Sequence, residues 1–95
     1  MIKHILKCHP QFFKDIASGK KQFEVRKNDR KYEVNDQITL REYDPISKKY
    51  SGKELDFSIT YVLKNFDGIK KNWVIMAIKQ IENYHYLDQE EIKFL

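Results

Sequence analysis

Apolar and polar residues alternate between positions 55 and 64, and this alternation limits the fold more than any other feature. The positions on one side are apolar or aromatic: Leu55, Phe57, Ile59, Tyr61 and Leu63. The positions between them are mostly polar or charged. Side chains of a β-strand point alternately to its two faces, so the pattern predicts a half-buried strand.

Four further strands and one helix complete the predicted set of elements. Strands are expected over 2–7, 23–26, 38–43 and 73–78, and the last is apolar on both faces. Pro10 suits the first turn of a helix and Gly19 its end, so a helix is expected over Pro10–Ser18. Residues 48–52 are expected to form a loop. These elements predict a mainly β fold with one early helix (α+β), a small, mostly antiparallel and nearly closed β-barrel whose mouth would hold the site.

The length of 95 residues is that of one small domain. We expect residues 1–82 to form this domain and residues 83–95 to be an acidic C-terminal extension of it. No apolar run approaches the roughly 20 residues of a membrane helix, and the first residues lack the pattern of a signal peptide. The single cysteine, Cys8, cannot form an internal disulfide, so the expected location is the cytoplasm.

The segment from Gly19 to Arg30 is the strongest indication of a site. Glu24 and Arg26 would share one face of the predicted strand, with Phe23 and Val25 on the other. Lys21 precedes them on a tight turn. Neighbouring acidic and basic side chains of this kind suggest the floor of a small polar pocket.

The net charge of +4 is unevenly distributed along the chain. Residues 1–31 have a balance of +6, whereas residues 32–95 have a balance of −2. A concentrated basic region favours a polyanionic partner, and nucleic acid ranks ahead of a membrane because no basic amphipathic helix is visible. The alternative is a solvated, lysine-rich surface without a specific partner.

The motif Gly19-x-Lys21-x-x-Glu24-x-Arg26 resembles the signature of the ASCH domain, a branch of the PUA-like superfamily. The chain is more similar still to a bacterial and phage subfamily of unknown function, DUF3850. That likeness also includes the segments 4–7, 10–13, 28–30, 40–45, 50–52 and 60–63, and it spans about residues 4–80. Two positions depart from the subfamily pattern, which usually has glycine at Asn35 and glycine-tyrosine at Asn72-Trp73.

The resemblance implies a β-barrel with a cleft that binds RNA or a nucleoside-like ligand. On that basis the expected ligand-binding residues are Lys21, Glu24, Arg26, Arg30, Arg41 and Tyr43. Lysine and arginine would reach phosphate or carbonyl oxygens, and tyrosine would offer a stacking face. The alternative interpretation is an internal ion pair of Glu24 with Arg26 or Lys21 that only stabilises the barrel.

Catalysis ranks behind binding. Some ASCH proteins resemble amidohydrolases that act on N4-acetylcytidine with a lysine, a threonine and a glutamate. Lys21 matches the lysine, but Glu24 stands at the threonine position. Only nine residues lie between Leu63 and Trp73, too few for the helical insertion of those enzymes. If the protein were an enzyme, Lys21 and Glu24 would be its catalytic residues. Ribonuclease activity ranks third, and a protein-interaction module that uses the acidic extension is a further alternative.

Metal ions and cofactors are not expected. Cys8-His9 resembles half of a metal site, but no second pair follows at ligand spacing. Adjacent residues on a strand also point to opposite faces, which disfavours a Cys8–His9 nucleophilic pair. Among the aromatic residues, Tyr61 and Trp73 are expected in the core, whereas Tyr32, Tyr43 and Tyr50 are expected on the surface.

Overall fold

The computed structural model describes residues 1–81. These residues form five strands and one helix: β1 (Lys3–Cys8), α1 (Pro10–Ala17), β2 (Phe23–Lys27), β3 (Gln37–Asp44), β4 (Lys49–Leu63) and β5 (Trp73–Gln80). The predicted order of elements is confirmed, and so is the mainly β character with one early helix. The predicted acidic extension, residues 83–95, lies outside the described residues.

The five strands form one sheet in the order β1-β3-β4-β5-β2. All neighbouring pairs are antiparallel except β1 and β3, which run parallel. β1 and β2 are therefore the two edges of the sheet. Arg26 Nη2 of β2 donates a hydrogen bond to Lys7 O of β1 at 2.9 Å, so the edges face each other and the sheet is curled. The fold is a half-barrel that does not close by backbone pairing between β1 and β2.

The core fills the concave side of this sheet. Its fully buried members come from the three central strands: Ile38, Leu40, Ile59, Val74 and Met76. The helix covers part of this side with its buried Phe13 and Ile16 and contacts β3. Among the described residues, no helix has the length and apolar character needed to cross a membrane.

A β-bulge in β4 changes the predicted alternation. Ile59 pairs with Ile78, but Tyr61 pairs with Ala77, so Thr60 is an extra residue in the strand. Because a bulge exchanges the faces of the residues that follow it, Val62 packs against the core and Tyr61 is 60% exposed. The prediction of a core Tyr61 is therefore wrong. The loop predicted over 48–52 is also wrong, since β4 begins at Lys49 and pairs with β3 from there.

The segment between β2 and β3 is anchored by a buried polar pair. His4 Nε2 donates to Asp36 Oδ2 at 2.9 Å, and the carboxylate also accepts the backbone N–H groups of Ile2 and Glu33. Tyr32 packs edge-on against His4 with 4.7 Å between ring centroids. Tyr32 is only 3% exposed, which corrects its expected place on the surface.

Both departures from the subfamily pattern lie at left-handed backbone positions. Asn35 has a φ of 78° and Asn72 a φ of 66°. Glycine adopts this conformation without steric cost, and asparagine tolerates it better than most residues. Asparagine can thus replace glycine at these two turns without a change in backbone conformation.

Candidate binding cleft between the two edge strands

A cleft of about 680 Å³ lies between the edges of the half-barrel, and we call it the β1–β2 cleft. Its walls come from the end of β1, the start of α1, the turn before β2, and β2 itself. Farther along, Asp29, Arg30 and Tyr32 line it, as does Trp73 at the start of β5. The volume is that of a small-molecule site.

Glu24 is the buried polar centre of this cleft. Its Oε1 accepts from Lys21 Nζ at 2.8 Å and its Oε2 from Arg26 Nη2 at 2.9 Å. The side chain of Glu24 is 5% exposed, whereas those of Lys21 and Arg26 are 17% and 26% exposed. One buried carboxylate therefore positions two cations that reach solvent.

Local backbone geometry places these three groups together. Gly19 has a φ of 84° and ends α1, and the backbone N–H of Lys21 then donates to Asp15 O. This turn brings Lys21 to the start of β2, where alternation directs Glu24 and Arg26 to the inner face. Phe23 and Val25 are left 45% and 47% exposed. β2 thus buries a charged side chain and leaves its apolar side chains exposed, the reverse of an ordinary half-buried strand.

Cationic side chains donate hydrogen bonds to backbone carbonyl groups along both edges of the cleft. Arg26 donates to Lys7 O, Arg30 Nη1 to Ile5 O at 3.2 Å, and Lys21 Nζ to Phe23 O at 2.7 Å. Charged side chains at a sheet edge hinder its pairing with another strand. Some backbone carbonyl groups of these edges therefore already accept hydrogen bonds from the cations. The cations keep further N–H groups that can donate to a ligand.

The lining of the cleft is positively charged and partly aromatic. Five lysine or arginine residues and two carboxylate residues line it, a formal excess of +3: Lys7, Lys21, Arg26, Lys27 and Arg30 against Glu24 and Asp29. Lys21 Nζ lies 4.8 Å from the ring centroid of Phe23 and 5.6 Å from that of Phe12. Both rings are roughly half exposed. An anionic ligand with a flat apolar part matches this surface.

Cys8 also lines the cleft but is not activated. Burial, together with the nearby Glu24 carboxylate, raises the pKa of the Cys8 thiol to about 11. The thiol is therefore protonated at neutral pH and is a poor nucleophile. Within residues 1–81, no three His, Cys, Asp or Glu side chains form a group that could hold a metal ion.

The structure brings together four of the six residues expected from the sequence. Lys21, Glu24, Arg26 and Arg30 line the β1–β2 cleft. In the described part of the chain, Arg41 and Tyr43 do not line it.

The structure also adds cleft residues that sequence reasoning missed. Lys7, Phe12, Lys27 and Trp73 line the cleft, although Trp73 was expected in the core. The position of Lys7 in the motif around β1 was the available signal for that residue. Phe12 and Trp73 had no distinguishing signal, because they reach the cleft only through the packing of α1 and β5.

Comparison with known proteins places the chain in a family. Residues 3–78 match the family described as "Domain of unknown function (DUF3850)". The chain is also 36% identical over 67 residues to the "Uncharacterized 12.9 kDa protein in GpA 3'region" of Escherichia phage P2. That match covers 70% of this chain and 60% of the phage protein, so the chain spans less than two thirds of its relative's length. The family match covers most of the chain and includes the whole β1–β2 cleft, and the protein belongs to the DUF3850 family.

Proposed function

We propose that the β1–β2 cleft binds single-stranded RNA or a nucleoside-like ligand, and that the half-barrel is an ASCH-like, PUA-like fold. The observation that carries the proposal is the positively charged cleft whose mouth has exposed aromatic rings. Phosphate groups and bases are the two parts of a nucleic acid that such a surface recognises.

The cations and the aromatic rings would contact different parts of the ligand. Lys7 and Lys27 are exposed at the cleft walls and can approach phosphate oxygens. Phe12 and Phe23 offer ring surface close to the ammonium group of Lys21. A base would stack on a ring while its phosphate contacts a lysine.

Glu24 would act mainly by positioning its neighbours. Both of its carboxylate oxygens already accept hydrogen bonds from Lys21 and Arg26. The guanidinium of Arg26 is therefore held in one orientation and can present its remaining N–H groups to carbonyl oxygens. This arrangement favours a ligand part that is rich in acceptors.

The same contacts favour binding over hydrolysis. An amidohydrolase needs a nucleophile next to its activating base. The candidate base or nucleophile, Glu24, is bound to two cations, and Cys8 is protonated at neutral pH. We therefore expect no cytidine release when the protein is incubated with N4-acetylcytidine. Rapid release that Lys21→Ala abolishes would overturn this ranking.

A salt titration of RNA binding with two matched lysine variants tests the proposal. Lys27→Ala removes an exposed lysine of the cleft, and Lys20→Ala removes an exposed lysine outside it, so both change the net charge equally. Arg26→Ala is less suitable, because it also removes a partner of buried Glu24. The probe is a fluorescent octauridylate, followed by anisotropy at several salt concentrations.

We expect wild-type affinity to fall with salt. Lys27→Ala should weaken binding and flatten the slope of log K against log salt by about 0.7, the value for one phosphate contact of a single strand. Lys20→Ala should behave like the wild type. Absence of binding, or equal effects of the two variants, would contradict a site in the cleft.

A further inference from the structure

Two tyrosines and two cations form a partly exposed cluster beside the β1–β2 cleft, which we call the tyrosine platform: Lys7, Arg41, Tyr43 and Tyr50. Tyr43 of β3 and Tyr50 of β4 face each other across the hairpin, with 4.9 Å between ring centroids. Arg41 Cζ lies 4.9 Å from the ring centroid of Tyr50, and Lys7 Nζ lies 4.3 Å from that of Tyr43.

The tyrosine platform is continuous with the cleft through Lys7. This residue lines the cleft, and its ammonium group lies over the ring of Tyr43. In the parallel pairing of β1 with β3, Lys7 is also the register partner of Arg41. One lysine is therefore shared by the two surfaces.

The platform residues are available for contacts with a ligand. Tyr50 is 47% exposed. The Arg41–Glu54 ion pair is exposed, and its atoms Nε and Oε1 are 3.3 Å apart. Exposed pairs of this kind contribute little to stability, so Arg41 can exchange Glu54 for a phosphate at small cost.

We propose that the tyrosine platform is a second stacking subsite, which holds a base of a single strand that continues out of the cleft past Lys7. The inference rests on the function proposed for the cleft. It predicts that the platform contributes to the affinity for an oligonucleotide and not to the affinity for a mononucleotide, which the cleft alone accommodates.

The test compares octauridylate with uridine 5′-monophosphate on three variants of the full chain. Tyr50→Ala removes the exposed ring, Tyr50→Phe keeps it, and Tyr61→Ala removes an exposed tyrosine from another part of β4. Octauridylate binding is followed by anisotropy and mononucleotide binding by the fluorescence of Trp73, the single tryptophan, which lines the cleft. Thermal unfolding shows whether each variant keeps its fold.

We expect Tyr50→Ala to weaken octauridylate binding about five-fold or more, the loss that corresponds to one stacked base. Its mononucleotide affinity should stay unchanged, and Tyr50→Phe and Tyr61→Ala should match the wild type with both ligands. Unchanged octauridylate binding by Tyr50→Ala would overturn the second subsite but not the cleft. Equal loss with both ligands would also overturn it. If neither ligand binds the wild type, the function proposed for the cleft fails as well.

Discussion

Glu24 shows how one residue can determine the character of a site. A carboxylate with 5% side-chain exposure is costly to bury unless it is paired, and here each oxygen accepts from a different cation. An internal ion pair and a ligand site were alternatives at the level of the sequence. The structure has the internal pairs, and it also leaves both cations at the wall of an open cleft.

Glu24→Gln should lower the free energy of unfolding by about 3 kcal/mol, because an amide has only one acceptor oxygen and its NH₂ group would face a cationic donor. Urea unfolding at neutral pH measures the change. Asp29→Asn is the matched control, since it removes one negative charge from an exposed position of the same cleft, and its effect should stay within about 0.5 kcal/mol. Similar effects of the two substitutions would mean that Glu24 is not a buried, paired carboxylate.

The Asp36 carboxylate should make the free energy of unfolding depend on pH in the acidic range. Burial alone would raise its pKa, but the hydrogen bonds from His4 and from the backbone of Ile2 and Glu33 outweigh burial and lower the pKa below the ordinary value of 3.8. The charged form therefore favours the folded state. Its contribution is fully present above about pH 4 and is lost as the pH falls through the lower, folded-state pKa.

Stability measured by urea unfolding should thus decline below about pH 4, and Asp36→Asn should reduce this decline. Asp67→Asn, in an exposed turn, is the control and should leave the profile unchanged. An Asp36→Asn profile as steep as that of the wild type would contradict the role of Asp36.

At the scale of elements, the order and type of strands and helix could be predicted because period-two and helical patterns are local. The bulge at Thr60 could not be predicted, because it depends on how β4 pairs with β5. As a result of the bulge, Tyr61 is exposed and Val62 packs against the core, the reverse of the prediction. Tyr32 was misjudged for a similar reason. It lies in a polar stretch, and its burial comes from packing against His4 of β1, far away in the sequence.

The turn before β3 depends on the left-handed conformation of Asn35, whose backbone N–H donates to Ile59 O at 2.8 Å. Asn35→Ala should lower the free energy of unfolding by about 1 kcal/mol, because a Cβ without a polar side chain disfavours this conformation. Asn35→Gly should be neutral or slightly stabilising. Chemical denaturation of both variants measures their relative stabilities. An alanine variant as stable as the glycine variant would contradict the role of the left-handed conformation.

At the scale of the whole molecule, the cleft arises from strand order rather than from any one motif. β1 pairs in parallel with β3 and β2 pairs with β5, so the edges that remain face each other. The sequence indicated Lys21, Glu24 and Arg26 because they lie close together in one motif. It did not indicate that Trp73 would join them, since that residue reaches the cleft only through long-range pairing, and for Lys7 it offered only the position in the motif around β1.

Trp73 allows the most direct test of the account, because it is the single tryptophan and lines the cleft. Titration of the wild type with octauridylate should change its emission saturably, with the same Kd that anisotropy gives. Lys27→Ala and added salt should both raise that Kd, whereas Lys20→Ala should not. RNA binding without any change in Trp73 emission, or no binding at all, would contradict the assignment of the β1–β2 cleft as the site.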